Sequence, residues 1–241
     1  MKIFITDGLP DTVFTAVFAA YGEKDCTVSS DTQLQLPLDG EIINVVYDKE
    51  KSRRVLQTIN KYDGEAESDI TLVLHSGDSR KEQICLEYIR ILVNNKAPVK
   101  NMLNNAVILS FNDLIYKMTG EIHRLKGLLR FTESAEKILY APYSPDNDIT
   151  EYLMRHFAAR LKSEKFVIHD IKRGTAGVYD GEHWILGKAN AAQISISESQ
   201  GFYEKLWKTY YESTNVKERP HDKQMKRSMP VRYWKFLPEK K

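Results

Sequence analysis

The chain has 241 residues, of which 42% are hydrophobic and 28% charged, and a formal net charge of +2. That length and apolar content can fill one large domain or two small ones, and the near-neutral total excludes a uniformly polycationic protein. The charge is nevertheless segregated: residues 1–100 hold 12 Lys/Arg against 16 Asp/Glu, residues 101–200 hold 12 against 12, and residues 201–241 hold 11 against 5. An anionic partner is therefore expected at the C-terminal end.

Two cysteines, Cys26 and Cys85, are too few for a disulfide framework or for a four-cysteine zinc or iron–sulfur site. The opening MKIFITDGLPD has no apolar signal core, because Asp7 interrupts it. No run approaches the roughly 20 apolar residues that span a bilayer. A cytoplasmic chain with no membrane partner is the expectation. No internal repeat argues for a solenoid.

Residues 2–6 read as a strand closed by an Asp7-Gly8 turn. A helix follows, with Asp11 as its N-cap and Val13, Phe14, Val17, Phe18 and Tyr21 as its apolar stripe. Residues 42–47 read as a second strand. From Asp48 the pattern turns helical, with Val55, Leu56 and Ile59 on one face, and Ile84, Tyr88, Ile91 and Leu92 mark another helix over 80–95. A long helix is predicted over much of 104–126, with Gly120 as a candidate interruption.

Beyond it the texture becomes β-rich: 128–133, 137–143, 166–173, 176–180 and 183–187 read as short strands, with Asp180-Gly181 as the clearest hairpin turn. Helices are expected at about 149–162 and 198–212, the second leading into the basic tail. The layout is α+β: a helix-rich N-terminal half, then a small, mostly antiparallel sheet with helices. With no linker-like stretch, residues 1–241 read as a single interlocked domain with a basic aromatic C-terminal segment, 213–241.

That segment interleaves Lys223, Lys226, Arg227, Arg232 and Lys235 with Tyr233, Trp234 and Phe236. Cations suit phosphates and aromatic faces suit unstacked bases, so single-stranded or damaged DNA is one partner this mixture fits. The alternative is that the aromatics anchor the terminus to a core while the charges remain solvated. His123, Lys126 and Arg130 form a second basic group at a helix-to-strand transition, where a phosphate or simply the helix dipole would be their counterpart.

Tyr152, His156 and Arg160 stand four apart on one helical face. His169 and Asp170 are adjacent in a strand and must point to opposite faces, so they cannot form a simple dyad. Asp170 is a candidate general base; its structural alternative is a pair with Arg173 or Arg160. His156, His169 and Asp170 are the catalytic candidates. The six histidines show no metal-ligand spacing, and no phosphate loop, nucleophile elbow, zinc-deaminase signature or C-x₃-C-x₂-C run occurs. Neither a metal nor a cofactor is expected.

Several stretches carry a resemblance. FITDGLPDTVFTAVFAAY, His123-x-x-Lys126-Gly127-x-Leu129-Arg130-Phe131, Ala141-Pro142-Tyr143-x-Pro145-Asp146, His156-Phe157 with Arg160, and Ile168-x-Asp170-x-x-Arg173-Gly174 are five of them. Thr214-Asn215-Val216-x-Glu218-Arg219 and Met229-Pro230-Val231-Arg232-Tyr233-Trp234-Lys235-Phe236-Leu237-Pro238-Glu239 complete the set. Together they resemble, in order and over nearly the whole chain, a bacterial family of DNA-metabolism and DNA-repair proteins. Leu9-Pro10 and His221-Asp222 depart from its pattern.

The resemblance implies association with a radical S-adenosylmethionine protein, and in longer relatives fusion to an iron–sulfur uracil-DNA glycosylase. With so few cysteines here, any cluster or radical chemistry would belong to that partner. The resulting expectation is an accessory module that binds damaged or single-stranded DNA through Lys223, Lys226, Arg227, Arg232, Tyr233, Trp234 and Lys235, extended by His123, Lys126, Arg130, Arg160 and Arg173. A nucleobase-directed hydrolase or glycosylase-like enzyme, and a protein-interaction scaffold without DNA contact, are the alternatives.

Overall fold

The computed structural model describes residues 1–31, 40–134, 137–189 and 226–240. Their contacts divide into two compact units, Met1–Thr119 and Gly120–Lys241. The architecture is α+β, as expected, and eight strands, six α-helices and two 3-10 helices are present among the described residues. None of these helices is long and apolar enough to cross a membrane.

The first unit holds a parallel sheet: the strands expected over 2–6 and 42–47 are present, and a third strand and the parallel pairing were not expected. Strands β1 (Lys2–Ile5), β2 (Cys26–Ser29) and β3 (Glu41–Asn44) are ordered β2-β1-β3, with Ile3 opposite Thr27 on one side and Ile42 on the other. Parallel neighbours need a crossover, and helix α1 (Pro10–Ala20) supplies the first one. It buries Val13, Phe14, Ala16 and Val17. The Asp7-Gly8 turn forms, with Gly8 at φ +80° and the Leu9 amide donating to Asp7 Oδ1 at 2.9 Å.

Asp11 is not the N-cap. Proline pre-sets the helical φ and needs no amide partner, so α1 starts at Pro10, and Asp11 falls in its first turn. Helix α2 (Lys49–Tyr62) begins where the pattern turns helical, and Asp48 caps it, its carboxylate accepting from the amides of Glu50 and Lys51. Helix α3 (Ala66–Leu74) was not anticipated, whereas α4 (Lys81–Asn95) and α5 (Ala106–Leu128) were. Helix α4 ends at Lys96, a left-handed residue at φ 54°. Tyr88 from α4 stacks on Phe111 from α5 at 3.8 Å between ring centres, at the heart of the core.

Gly120 does not interrupt α5. A mid-helix glycine costs about 1 kcal/mol relative to alanine, and the buried stripe Met118, Ile122 and Leu125 carries the helix through it. The strand expected over 128–133 therefore shrinks to β4 (Thr132–Glu133).

The second unit is built on a five-stranded sheet ordered β4-β5-β6-β7-β8, comprising β4, β5 (Leu139–Tyr143), β6 (Phe166–Asp170), β7 (Thr175–Tyr179) and β8 (Trp184–Lys188). Its pairings are antiparallel except β5 with β6, which helix α6 (Thr150–Arg160) connects. Met154 of α6 lies directly on Gly177 of β7: a Cβ there would come within 2.4 Å of Met154 Cγ and Sδ. Phe166 packs on Tyr179 and receives Phe131 edge-on.

The hairpin at Asp180-Gly181 is present, with Gly181 at φ +108°. Asp180 Oδ1 accepts from the amides of Glu182 and His183, both at 2.8 Å, which holds the Asp180 carboxyl below its usual range. The C-terminal residues form 3-10 helices at Val231–Phe236 and Pro238–Lys240. The helix expected over 198–212 lies outside the described residues.

Candidate nucleic-acid interface

The end of α5 and the outer face of α6 bring cations together in the second unit. His123 and Lys126 are three apart on α5 and share a face; His156 and Arg160 are four apart on α6. Lys126 from the first helix lies close enough to His156 on the second to act on its titration. Partial burial and then the charges of Lys126 and Arg160 hold the His156 imidazole below its usual pKa. Lys126 and Arg160 form no ion pair with any described residue. Two unneutralised cations beside an imidazole kept neutral make a surface that gains from a bound anion.

Arg130 has a different role. Its guanidinium donates to the Gly127 carbonyl at 2.8 Å, so it closes the end of α5. That is the dipole-complementing alternative, written into the helix terminus.

The C-terminal segment divides in the same way. Tyr233, a stacking candidate, is 2% exposed and donates its hydroxyl to Glu121. A base cannot stack on an enclosed ring, so stacking falls to Trp234. That side chain is half-buried, its Nε1 donates to the Met229 carbonyl at 2.9 Å, and the Lys240 ammonium lies 5.0 Å from its ring centre. Arg232 pairs with Asp146 at 2.8 Å and lies 3.7 Å from Glu121.

Lys226 and Arg227 are exposed with no ion pair among the described residues, and exposed Lys235 lies over the Phe236 ring. Lys223 lies outside the described residues. Both readings of the tail thus apply, to different residues: Tyr233 and Arg232 anchor it, while Lys226, Arg227 and Lys235 remain at the surface.

Glu121 organises that anchorage and was not singled out from sequence. It is 1% exposed and accepts from the Asp146 amide at 2.9 Å, the Asn147 amide at 3.0 Å, Asn147 Nδ2 at 2.6 Å and the Tyr233 hydroxyl. A signal was available. Glu121 falls between Met118 and Leu125 on the apolar stripe of α5, where a carboxylate must find buried donors.

Asp170 is fully enclosed. Its Oδ2 meets Arg173 at 2.8 Å and its Oδ1 accepts from the Lys172 and Arg173 amides. Arg173 continues to the carbonyls of Pro145 and Asp146. The pair therefore ties the turn after β6 to the loop before α6, which removes Asp170 from the general-base candidates and commits Arg173 to the same structural link.

His169 is 4% exposed and points to the opposite sheet face, where its Nδ1 shares a 2.8 Å hydrogen bond with Tyr140. The three catalytic candidates thus do not converge on one group: Asp170 faces one side of β6, His169 the other, and His156 stands on α6 beside Lys126. Among the described residues no cluster of His, Cys, Asp or Glu is arranged to hold a metal ion.

These features define an α+β protein whose second unit carries cations on α5, on α6 and at residues 226–227, with two buried carboxylates, Glu121 and Asp170, tying its loops and C-terminal segment in place. The chain belongs to the family described as a domain of unknown function, DUF4130, whose profile matches residues 79–239. No curated protein and no solved structure matches it.

Proposed function

We propose that this protein is a DNA-metabolism or DNA-repair accessory module that binds single-stranded or damaged DNA and serves a catalytic partner. The observation that carries the reading is the approach of Lys126, His156 and Arg160 from two helices without a neutralising carboxylate among the described residues. Lys226 and Arg227 add two exposed cations in the same unit, and half-buried Trp234 supplies an aromatic surface for a base. Phosphates occupy the cations while the aromatic takes an unstacked base. The partner expected from the sequence resemblance is a radical S-adenosylmethionine protein or an iron–sulfur uracil-DNA glycosylase, which would carry any cluster or radical chemistry.

The test is a titration of single-stranded, double-stranded, uracil-containing and abasic oligonucleotides over a range of salt. Four cationic contacts, Lys126, Arg160, Lys226 and Arg227, predict a slope of log K against log salt of about −3 on a single strand. Lys126→Gln and Arg160→Gln should each reduce it by roughly 0.7. Absence of binding at low salt refutes the reading, as does a slope that ignores these substitutions. Adding the partner enzyme to the same titration tests the second half of the proposal through its base products.

A further inference from the structure

The first unit carries a cleft of its own, with a volume of about 350 Å³, lined by Val17, Phe18 and Tyr21 of α1 and its end, by Val55 of α2, and by Ile89 and Val93 of α4. Its walls are largely hydrocarbon and aromatic. Polar groups enter from one side, where Arg54 and Thr58 of α2 complete the lining. The Arg54 guanidinium lies over the Phe18 ring, 5.0 Å from its centre, and has no carboxylate partner among the described residues.

The α2 sequence extends this asymmetry. Lys49, Lys51, Arg53, Arg54 and Lys61 face a single acid, Glu50. Helical spacing places Lys51, Arg54, Thr58 and Lys61 on one stripe, and Thr58 shows that this stripe borders the cleft. Lys51 is paired with Asp48. Lys61, like Arg54, contacts only an aromatic ring, that of Tyr62, and is otherwise unpaired among the described residues. Seven residues of helix separate the two unpaired cations by about 10 Å along the axis.

We infer that this cleft is a docking groove for an acidic amphipathic helix of a protein partner. One or two large apolar side chains of that helix enter between α1, α2 and α4, and its Asp or Glu residues meet Arg54 and Lys61. Three facts favour this occupant. The volume is at the small end of the range that accommodates a drug-sized molecule, about 300–1,000 Å³, but suits side-chain anchors. Arg54 edges an apolar wall and Lys61 continues its stripe along α2, which matches an i/i+4/i+7 helix face rather than a nucleic-acid backbone. Their axial separation matches two acids seven residues, or two turns, apart on a partner helix, a length that a compact apolar anion does not reach. The inference is independent of DNA binding, whose candidate residues all belong to the second unit.

The test pans a display library of random 16-residue peptides against the intact chain, then measures the enriched peptides by fluorescence anisotropy. Enrichment of Asp/Glu-rich sequences with aromatic or aliphatic residues at i, i+4 and i+7 is expected. Arg54→Glu and Lys61→Glu should each weaken binding about tenfold and flatten its salt dependence. Gly22→Leu provides a second, uncharged probe: a Cβ at this cleft-lining position meets no atom within 4 Å, so the side chain can occupy the cleft without displacing the fold. It should weaken binding comparably while circular dichroism and melting stay at wild type.

Four results overturn the inference. One is no enrichment, and another is enrichment of neutral or basic peptides. A third is affinity indifferent to both Arg54→Glu and Gly22→Leu. The last is concentration-dependent self-association abolished by Arg54→Glu, which would assign the groove to a second copy.

Discussion

Glu121→Ala removes a single acceptor that serves four donors, and its consequences can be worked through bond by bond. The Tyr233 hydroxyl and Asn147 Nδ2 each lose a hydrogen bond to a charged partner, an interaction of about 1.5–3 kcal/mol. The Asp146 and Asn147 amides lose theirs as well, and Arg232 keeps Asp146 but loses the carboxylate behind it. These losses share one cavity and one loop, so they do not add. Removing one partner from such a buried charged site costs about 3–5 kcal/mol, against a typical total stability of about 5–15 kcal/mol.

Glu121→Gln preserves the volume but turns an amide toward donors, and about 1–3 kcal/mol is expected. Urea unfolding measures both. A double-mutant cycle with Tyr233→Phe isolates the anchorage of the C-terminal segment, with an expected coupling of about 1–3 kcal/mol. Hydrogen exchange at the Tyr233 and Leu237 amides should accelerate before the β6 amides do. A cost below about 1 kcal/mol for Glu121→Ala, or strictly additive cycle energies, would refute the reading that Glu121 holds the segment in place.

Gly177→Ala should destabilise by about 1–3 kcal/mol through overpacking against Met154, and the penalty should shrink in a Met154→Ala background. DNA affinity should rise as pH falls below the ordinary histidine value: the free His156 is held neutral by burial, Lys126 and Arg160, a phosphate favours its charged form, and binding therefore takes up a proton. His156→Gln should abolish that pH dependence, which anisotropy titrations at pH 5.5 and 7.5 would reveal.

Asp48 and Asp180 both carry lowered pKa values caused mainly by backbone amides, so their contributions are complete above the usual carboxylate range and are lost as pH falls through it. Asp180→Ala should flatten the acid limb of a stability–pH profile measured by thermal melting.

Elements legible in the sequence were those whose local signals agree with their packing. Asp180-Gly181 requires a positive φ and a side-chain acceptor, and both residue types are present; Asp48 stands where α2 needs a cap. The parallel sheet of the first unit was legible only in part: residues 2–6 and 42–47 read as strands and overlap β1 and β3, whereas β2 is four residues long and acquires a strand identity only by pairing with β1. Helix α3, nine residues between two other helices, has too few turns for its periodicity to stand out. Within the site, residue spacing placed Tyr152, His156 and Arg160 on one face, but the approach of Lys126 is a tertiary contact that no spacing within α6 reports. Opposite facing of His169 and Asp170 followed from strand alternation alone; their partners, Tyr140 of β5 and Arg173 of the turn after β6, are tertiary and turn contacts that alternation does not report.

The segregated charge also changes meaning once partners are known. The excess of Lys/Arg over Asp/Glu in residues 201–241 first suggested that the tail is the anionic partner's main contact. Arg232, at the centre of its most specific motif, is instead directed at Asp146 and Glu121, two acids that a count by chain segment assigns elsewhere. Conversely, residues 101–200 sum to zero, yet they contain Lys126 and Arg160, which no described acid neutralises. Net charge by segment thus counts Arg232 as available and conceals the α5–α6 surface. What an anion encounters is the local balance after internal pairing, because a cation already bound to a buried carboxylate offers little to a phosphate. Arg232→Gln should therefore cost stability more than DNA affinity, and Arg160→Gln the reverse. That opposition separates an anchoring arginine from a binding one, and measuring both variants by urea unfolding and anisotropy would collapse the distinction if each moved the two quantities together.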